Sequence, residues 1–280
     1  MAGIVKRIPL DKITFGGNSP FVLICGPCVV ESKEITFKIA SAVQKITQQL
    51  HIPFVFKSSY DKANRTAISS FRGLGMRRAL GILQDMKERL GLPVISDVHT
   101  VAEIGEAAKV LDIIQIPAFL CRQTDLLLAA GETGKIVNIK KGQFLAPWDV
   151  RQIVQKIEST GNRKILLTER GTSFGYNNLV TDFRSLAIMR ETGYPVVLDA
   201  SHSVQQPGGL GNTSGGNSEF IPLLSRCGVA AGCDAIFMEV HLNPKKALSD
   251  GPNMLPLNKL ESLLMDLKAI DGIVKRRNNQ

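Results

Sequence analysis

Residues 56–71, FKSSYDKANRTAISSF, place Lys57, Lys62 and Arg65 in one short polar loop directly after the apolar run Pro53-Phe54-Val55-Phe56. That run is short, aromatic and β-branched, which reads as a buried strand, and a helix-like pattern follows over 72–90. The cations therefore hang from the C-terminal end of a strand, where they repel one another unless anions sit among them. In a parallel α/β fold this is the end at which ligands bind, so the stretch suggests a phosphate or carboxylate pocket. A solvated basic loop fits the same residues, because Lys and Arg are common on surfaces.

Outward from this stretch the same unit recurs: a short apolar strand, a polar or Gly-containing loop, then an amphipathic segment. Strands are predicted at 21–25, 53–56, 94–96, 113–116, 136–139, 165–167, 196–198 and 236–238. Helices are predicted at 34–50, 74–90, 148–159, 183–191, 219–229 and 260–274, with Gly91, Gly161 and Gly193 placed to end three of them. Eight rounds in 280 residues point to a single (β/α)8 TIM barrel, with an open doubly wound sheet as the alternative. Two apolar patches over 4–15, split by Pro9-Leu10-Asp11-Lys12, predict a short N-terminal β-hairpin, making 1–17 an extension of the barrel domain.

No secretory leader opens the chain and no run approaches the roughly 20 apolar residues of a membrane span, so a cytoplasmic protein with no membrane contact is expected. Five cysteines, an odd number, argue for reduced thiols rather than a disulfide framework. The formal charge of +9 admits nucleic acid or small anions as partners. One Trp and three Tyr leave little for base stacking, and the one dense basic run, Lys275-Arg276-Arg277, is terminal, which argues against nucleic acid.

In a barrel, the residues just beyond each strand share one mouth. Here they are Cys28, Lys57, Asp97, His99, Gln115, Lys140, Lys141, Glu169, Arg170, His202, Glu239 and His241. Among them Cys28, His202 and Glu239, with Asp250, form a mixed sulfur, nitrogen and oxygen set suited to a divalent ion such as Zn, Fe or Mn. Each also has a plainer reading: a buried Cys as a small hydrophobe, a structural His, an Asp initiating the turn at Gly251-Pro252. Cys25 falls inside a strand, so the single C-x-x-C reads as a buried Cys25 and a functional Cys28. The glycine-rich stretch 206–218 follows His202 and is expected to be a lid.

Taken together, Gly26-Pro27-Cys28 with Glu31-Ser32, Phe56-Lys57-Ser58-Ser59 with Lys62-Ala63-Asn64-Arg65-Thr66, Asp97-Val98-His99, Gln115-Ile116-Pro117-Ala118-Phe119, Asn138-Ile139-Lys140-Lys141-Gly142-Gln143 and Asp199-Ala200-Ser201-His202 carry a family resemblance. The chain resembles the 3-deoxy-D-manno-octulosonate 8-phosphate synthases over 21–257. Heptulosonate 7-phosphate synthases, which use erythrose 4-phosphate, share the barrel but would carry a Lys-Pro-Arg-Thr type motif where this chain has Lys62 to Thr66. Cys28, in place of the Asn of metal-free relatives, places the resemblance with the metal-dependent class.

The resemblance implies a transferase that condenses phosphoenolpyruvate with arabinose 5-phosphate in lipopolysaccharide sugar biosynthesis, as a homotetramer. It implies that Lys57, Ser59, Lys62, Gln115, Lys140 and Arg170 hold phosphoenolpyruvate. Asn64, Arg65, Thr66 and Asp97 would hold the sugar phosphate, with Ala118 beside the substrates and Arg122 reaching in from a neighbouring subunit. Lys62, His202 and Asp250 are the implied catalytic residues, and Cys28, His202, Glu239 and Asp250 the implied metal ligands.

Overall fold

Eight parallel strands close on themselves in the computed structural model, which describes residues 5–209 and 214–277. In order they are Val22–Gly26, Phe54–Lys57, Val94–Asp97, Ile113–Ile116, Ile136–Lys140, Ile165–Glu169, Val196–Asp199 and Ala235–His241. The first and eighth pair in parallel from Val22↔Ala235 to Gly26↔Glu239, and the seventh and eighth pair from Val197↔Ala235. This closure excludes the open doubly wound sheet, which would leave two free edges. Every residue of these strands is buried. Side chains fill the barrel on one face and helices cover the other, so the strands read as nearly continuous apolar runs rather than alternating ones.

A helix follows each strand: Lys33–Gln49, Met76–Leu90, Val101–Val110, Thr124–Glu132, Val150–Glu158, Arg184–Arg190, Ile221–Ala230 and Leu260–Arg277. Sequence periodicity does not flag the third and fourth of these. Val101–Val110 buries only Ile104 and Ala107, and the buried set of Thr124–Glu132 includes the small residues Ala130 and Gly131, so neither shows a strong apolar stripe. The second helix begins later than 72–74 because Gly73 and Gly75 sit at φ 138° and 85°, outside helical space. Gly91 ends that helix in the left-handed conformation, as its position predicts.

The strands run further than their apolar stretches. Lys57, Asp97, Lys140 and Glu169 are the last residues of their strands rather than the first of their loops, and Glu239 and His241 lie inside the eighth. Ladder bonding is a backbone property and continues past the last apolar residue, at Lys57↔Ile95, Asp97↔Gln115 and Lys140↔Thr168. These side chains are thus fixed by the barrel itself.

Ile8–Leu10 and Ile13–Phe15 form the N-terminal hairpin, while Ile4 lies outside the described residues. The Lys6 N–H donates to the Gly193 carbonyl just before the seventh strand, at the end of the barrel away from the charged rim. Among the described residues no helix is long and apolar enough to cross a membrane.

Candidate active site

A cavity of about 1510 Å³ opens at the C-terminal ends of the strands. Lys57, Lys62, Asn64, Arg65, Thr66, Asp97, Gln115, Ala118, Lys140, Arg170, His202 and Asp250 all line it. Ser59 does not line it but donates its hydroxyl to Asp97 Oδ2 at 2.5 Å, one step behind the wall. Arg122 is exposed and away from the cavity of its own chain.

Each cation of the wall has a different electrostatic setting. Lys57 Nζ lies 2.5 Å from Glu239 Oε1 and donates to the Cys28 carbonyl, both groups being buried. Lys140 pairs with Asp199 and stands 3.2 Å above the Phe237 ring. Burial pulls the Lys140 ammonium down to about 8, against the opposing charge of Asp199. Lys62 moves the other way: burial would lower it, but the negative charges of Asp97, Glu239 and Asp250, with Cys28, outweigh burial and raise it. Arg170 donates through Nη2 to Gln205 Oε1, and its Nη1 is buried with no partner within the chain. A buried guanidinium N–H without a partner is costly unless a ligand accepts from it, so this group marks an anion subsite.

Arg65, from the loop after the second strand, reaches across the mouth to Ser249 Oγ at 2.8 Å and comes within 3.8 Å of Asp250 Oδ1. Asp97 is held ionised. Burial would raise its carboxyl, but Lys62, Lys57 and His99 and the amide N–H of Gln115 outweigh burial and keep it far below the usual range.

At the floor, one ligand atom each from Cys28, Glu239 and Asp250 lies within 4.8 Å of the others. Cys28 Sγ is 3.1 Å from Asp250 Oδ2, and the Asp250 backbone takes the left-handed conformation, φ 50°, to bring its carboxylate there. His202 stands just outside this trio, with Nε2 3.8 Å from Glu239 Oε1, and its Nδ1 is held 2.7 Å from Asp199 Oδ2. A carboxylate on one ring nitrogen leaves the other facing the cluster, the usual outer support of a metal-binding histidine. Glu239 Oε2 is buried without a partner. The donor set therefore fits a borderline divalent ion. Burial and then the Glu239 charge push the Cys28 thiol well up, so a bound cation would be needed to hold it as thiolate. Cys25 is fully buried within its strand, as its position predicts.

A sequence profile of the DAHP synthetase I family matches residues 5–276. The chain belongs to the DAHP synthetase I family. It is 58% identical over 272 residues to the 2-dehydro-3-deoxyphosphooctonate aldolases of Geotalea uraniireducens and Geobacter metallireducens, and 57% identical to that of Geobacter sulfurreducens. In each case the match covers 97% of this chain and the whole of the relative.

Ser249, which receives Arg65, escapes a reading of the sequence, and only the fold shows that Asp199 supports both His202 and Lys140 and that Gln143 lines the cavity beside the rim residue His99. The three-residue spacing of Asp199 and His202 was the one local signal available. The glycine-rich stretch forms a short antiparallel pair, Gln205–Gln206 with Gly215–Gly216. Pro207, Gly208 and Ser214 border the cavity, while residues 210–213, the centre of the expected lid, lie outside the described residues.

Proposed function

We propose that the chain condenses phosphoenolpyruvate with D-arabinose 5-phosphate and water, giving 3-deoxy-D-manno-octulosonate 8-phosphate and inorganic phosphate for lipopolysaccharide sugar synthesis. The observation that carries this reading is the convergence of Lys57, Lys62, Lys140 and Arg170 on one cavity, three of them nine-tenths or more buried. Arg170 Nη1 is buried without a partner, and the ammonium groups beside it, though paired within the chain, give the cavity the charge to receive a polyanion, such as the carboxylate and phosphate of phosphoenolpyruvate. The names of the relatives supply the octulosonate product and disfavour the erythrose 4-phosphate alternative.

In this reading Arg170, Lys140, Lys57 and Lys62, with Gln115, hold phosphoenolpyruvate, and Ser59 supports that wall from behind through Asp97. Asn64, Arg65 and Thr66 take the sugar phosphate, Asp97 accepts from sugar hydroxyls, and Ala118 packs beside them. C3 of the enol attacks the aldehyde carbon, and water adds to C2. The resulting hemiketal expels phosphate together with its bridging oxygen. Most of the rate comes from holding two flexible anions in one geometry away from water. Lys62, raised by its anionic neighbours, stays an ammonium and stabilises charge developing on oxygen. Asp250, at the floor, moves protons to and from the attacking water and the new hydroxyl, while His202, its Nδ1 held by Asp199, turns its other ring nitrogen to the metal site.

Cys28, His202, Glu239 and Asp250 would hold a Zn, Fe or Mn ion, whose charge polarises and orients oxygen groups when bound. A single-domain cytoplasmic homotetramer completes the proposal, in which Arg122, exposed in one chain, serves a neighbour's site. Side-by-side assays with arabinose 5-phosphate and erythrose 4-phosphate test the function. Turnover of the four-carbon aldehyde alone would overturn it.

A further inference from the structure

A line of side chains crosses four consecutive barrel strands, from the sixth back to the third, and ends on Ser59, two residues beyond the second strand, just beneath the cavity wall. The Thr168 hydroxyl donates to Asn138 Oδ1 at 2.7 Å, and Asn138 Nδ2 donates to Gln115 Oε1 at 2.9 Å. Gln115 Nε2 donates to Asp97 Oδ1, and the Ser59 hydroxyl closes the line on Asp97 Oδ2 at 2.5 Å. All five are buried. Its direction is dictated from one end. An ionised carboxylate only accepts, so Gln115 must turn its NH2 toward Asp97 and its oxygen toward Asn138. Asn138 must then present its own NH2, leaving its oxygen for a hydroxyl that donates.

Only Asp97 and Gln115 of this line border the cavity. We propose, resting on the condensation assigned above, that Asn138 and Thr168 are positioning residues, which lock the Gln115 amide in one orientation and keep Asp97 a pure acceptor for the sugar substrate. Neither touches substrate. They act by fixing which atoms the wall presents. Lys62, Lys57, His99, Lys140 and Tyr60 are the charged or titratable groups that face Asp97, and they are the same in every variant below.

Asn138→Asp keeps the shape and the acceptor for Thr168. The introduced carboxyl can replace the lost N–H toward Gln115 only while it is protonated. Once ionised it makes Gln115 turn over and point its oxygen at Asp97. The test compares kcat and both KM values across pH for wild type, Asn138→Asp, Thr168→Val and Thr168→Ser, with melting curves for each. The ratio of variant to wild-type kcat/KM for arabinose 5-phosphate is expected to fall about tenfold or more as pH rises through the new ionisation.

A ratio that does not change with pH overturns the proposal. Should Asn138→Asp not fold, the threonine pair decides: Thr168→Ser keeps wild-type constants while Thr168→Val raises KM for the sugar, and equal behaviour of the two overturns the proposal. A wild-type protein that fails to join the two substrates overturns the reaction itself, and is told apart by that assay alone.

Discussion

Lys57 and Glu239, 182 positions apart in the chain, meet as a buried ion pair with Nζ 2.5 Å from Oε1. One residue thus ties the cationic wall to the candidate metal floor, because Glu239 also offers a ligand atom within 4.8 Å of those of Cys28 and Asp250 and its Oε2 is buried without a partner. Lys57→Met removes the cation and leaves the carboxylate buried. Breaking such a pair costs about 3–5 kcal/mol. Urea unfolding should show that loss, and the double variant Lys57→Met/Glu239→Leu should recover much of it. Additive losses would mean that the pair contributes no coupling.

Cys28→Asn tests the metal assignment. A thiolate binds a borderline ion far better than an amide does, so elemental analysis should find little metal in the variant at neutral pH. If the ion mainly orients groups, the amide can do so by hydrogen bonds, and activity that chelators do not affect should persist. Full metal content with full chelator sensitivity would show that Cys28 is not a ligand.

The buried ammonium of Lys140, lowered to about 8, sets an alkaline limit on substrate binding. Only the protonated form attracts the anion, so affinity is present below that pH and is lost as pH rises through it. KM for phosphoenolpyruvate should climb above pH 8 in wild type. In Lys140→Met it should be high throughout and lack this limb. A wild-type KM flat to pH 10 would remove Lys140 from the binding set.

Arg65 and Arg170 stand on opposite sides of the mouth, one on Ser249 and the other on Gln205. A lost charge-assisted contact costs about 1.5–3 kcal/mol, or roughly 10- to 100-fold in affinity. Arg65→Ala should raise KM mainly for the sugar phosphate, and Arg170→Ala mainly for phosphoenolpyruvate. If both variants raise both constants alike, the two subsites are assigned wrongly.

Gly26, in the Gly-Pro-Cys turn that delivers Cys28, has no room for a side chain. A Cβ there would run into the carbonyl oxygen of Lys57 and touch the Phe56 ring at 3.0 Å. A backbone obstacle cannot rotate away, so Gly26→Ala should lower stability by about 1–3 kcal/mol and reduce metal content along with it. An unchanged denaturation midpoint would show that the first two strands can separate locally without cost.

The eight apolar runs, the glycines that stop the helices and the charges that follow the runs were all legible locally. Strand and helix periodicity reports burial on the scale of a few residues, and a barrel repeats one such unit eight times. That was enough to place Lys57, Lys62, Lys140 and Arg170 at one mouth. The two helices over Val101–Val110 and Thr124–Glu132 stayed hidden because each depends in part on small buried residues that leave little periodic signal.

By itself, then, the sequence determined the barrel, the end of it that carries charge, and the residue types available for anion and metal chemistry. Only closure of the sheet decided the pairings: Lys57 with Glu239, Asp199 beneath both His202 and Lys140, and the directed line from Thr168 to Asp97. Those contacts join residues on different strands whose heights are set by ladder register. No local pattern encodes which side chain a neighbouring strand will bring opposite, so the partner of each buried charge exists only once the first and eighth strands have met.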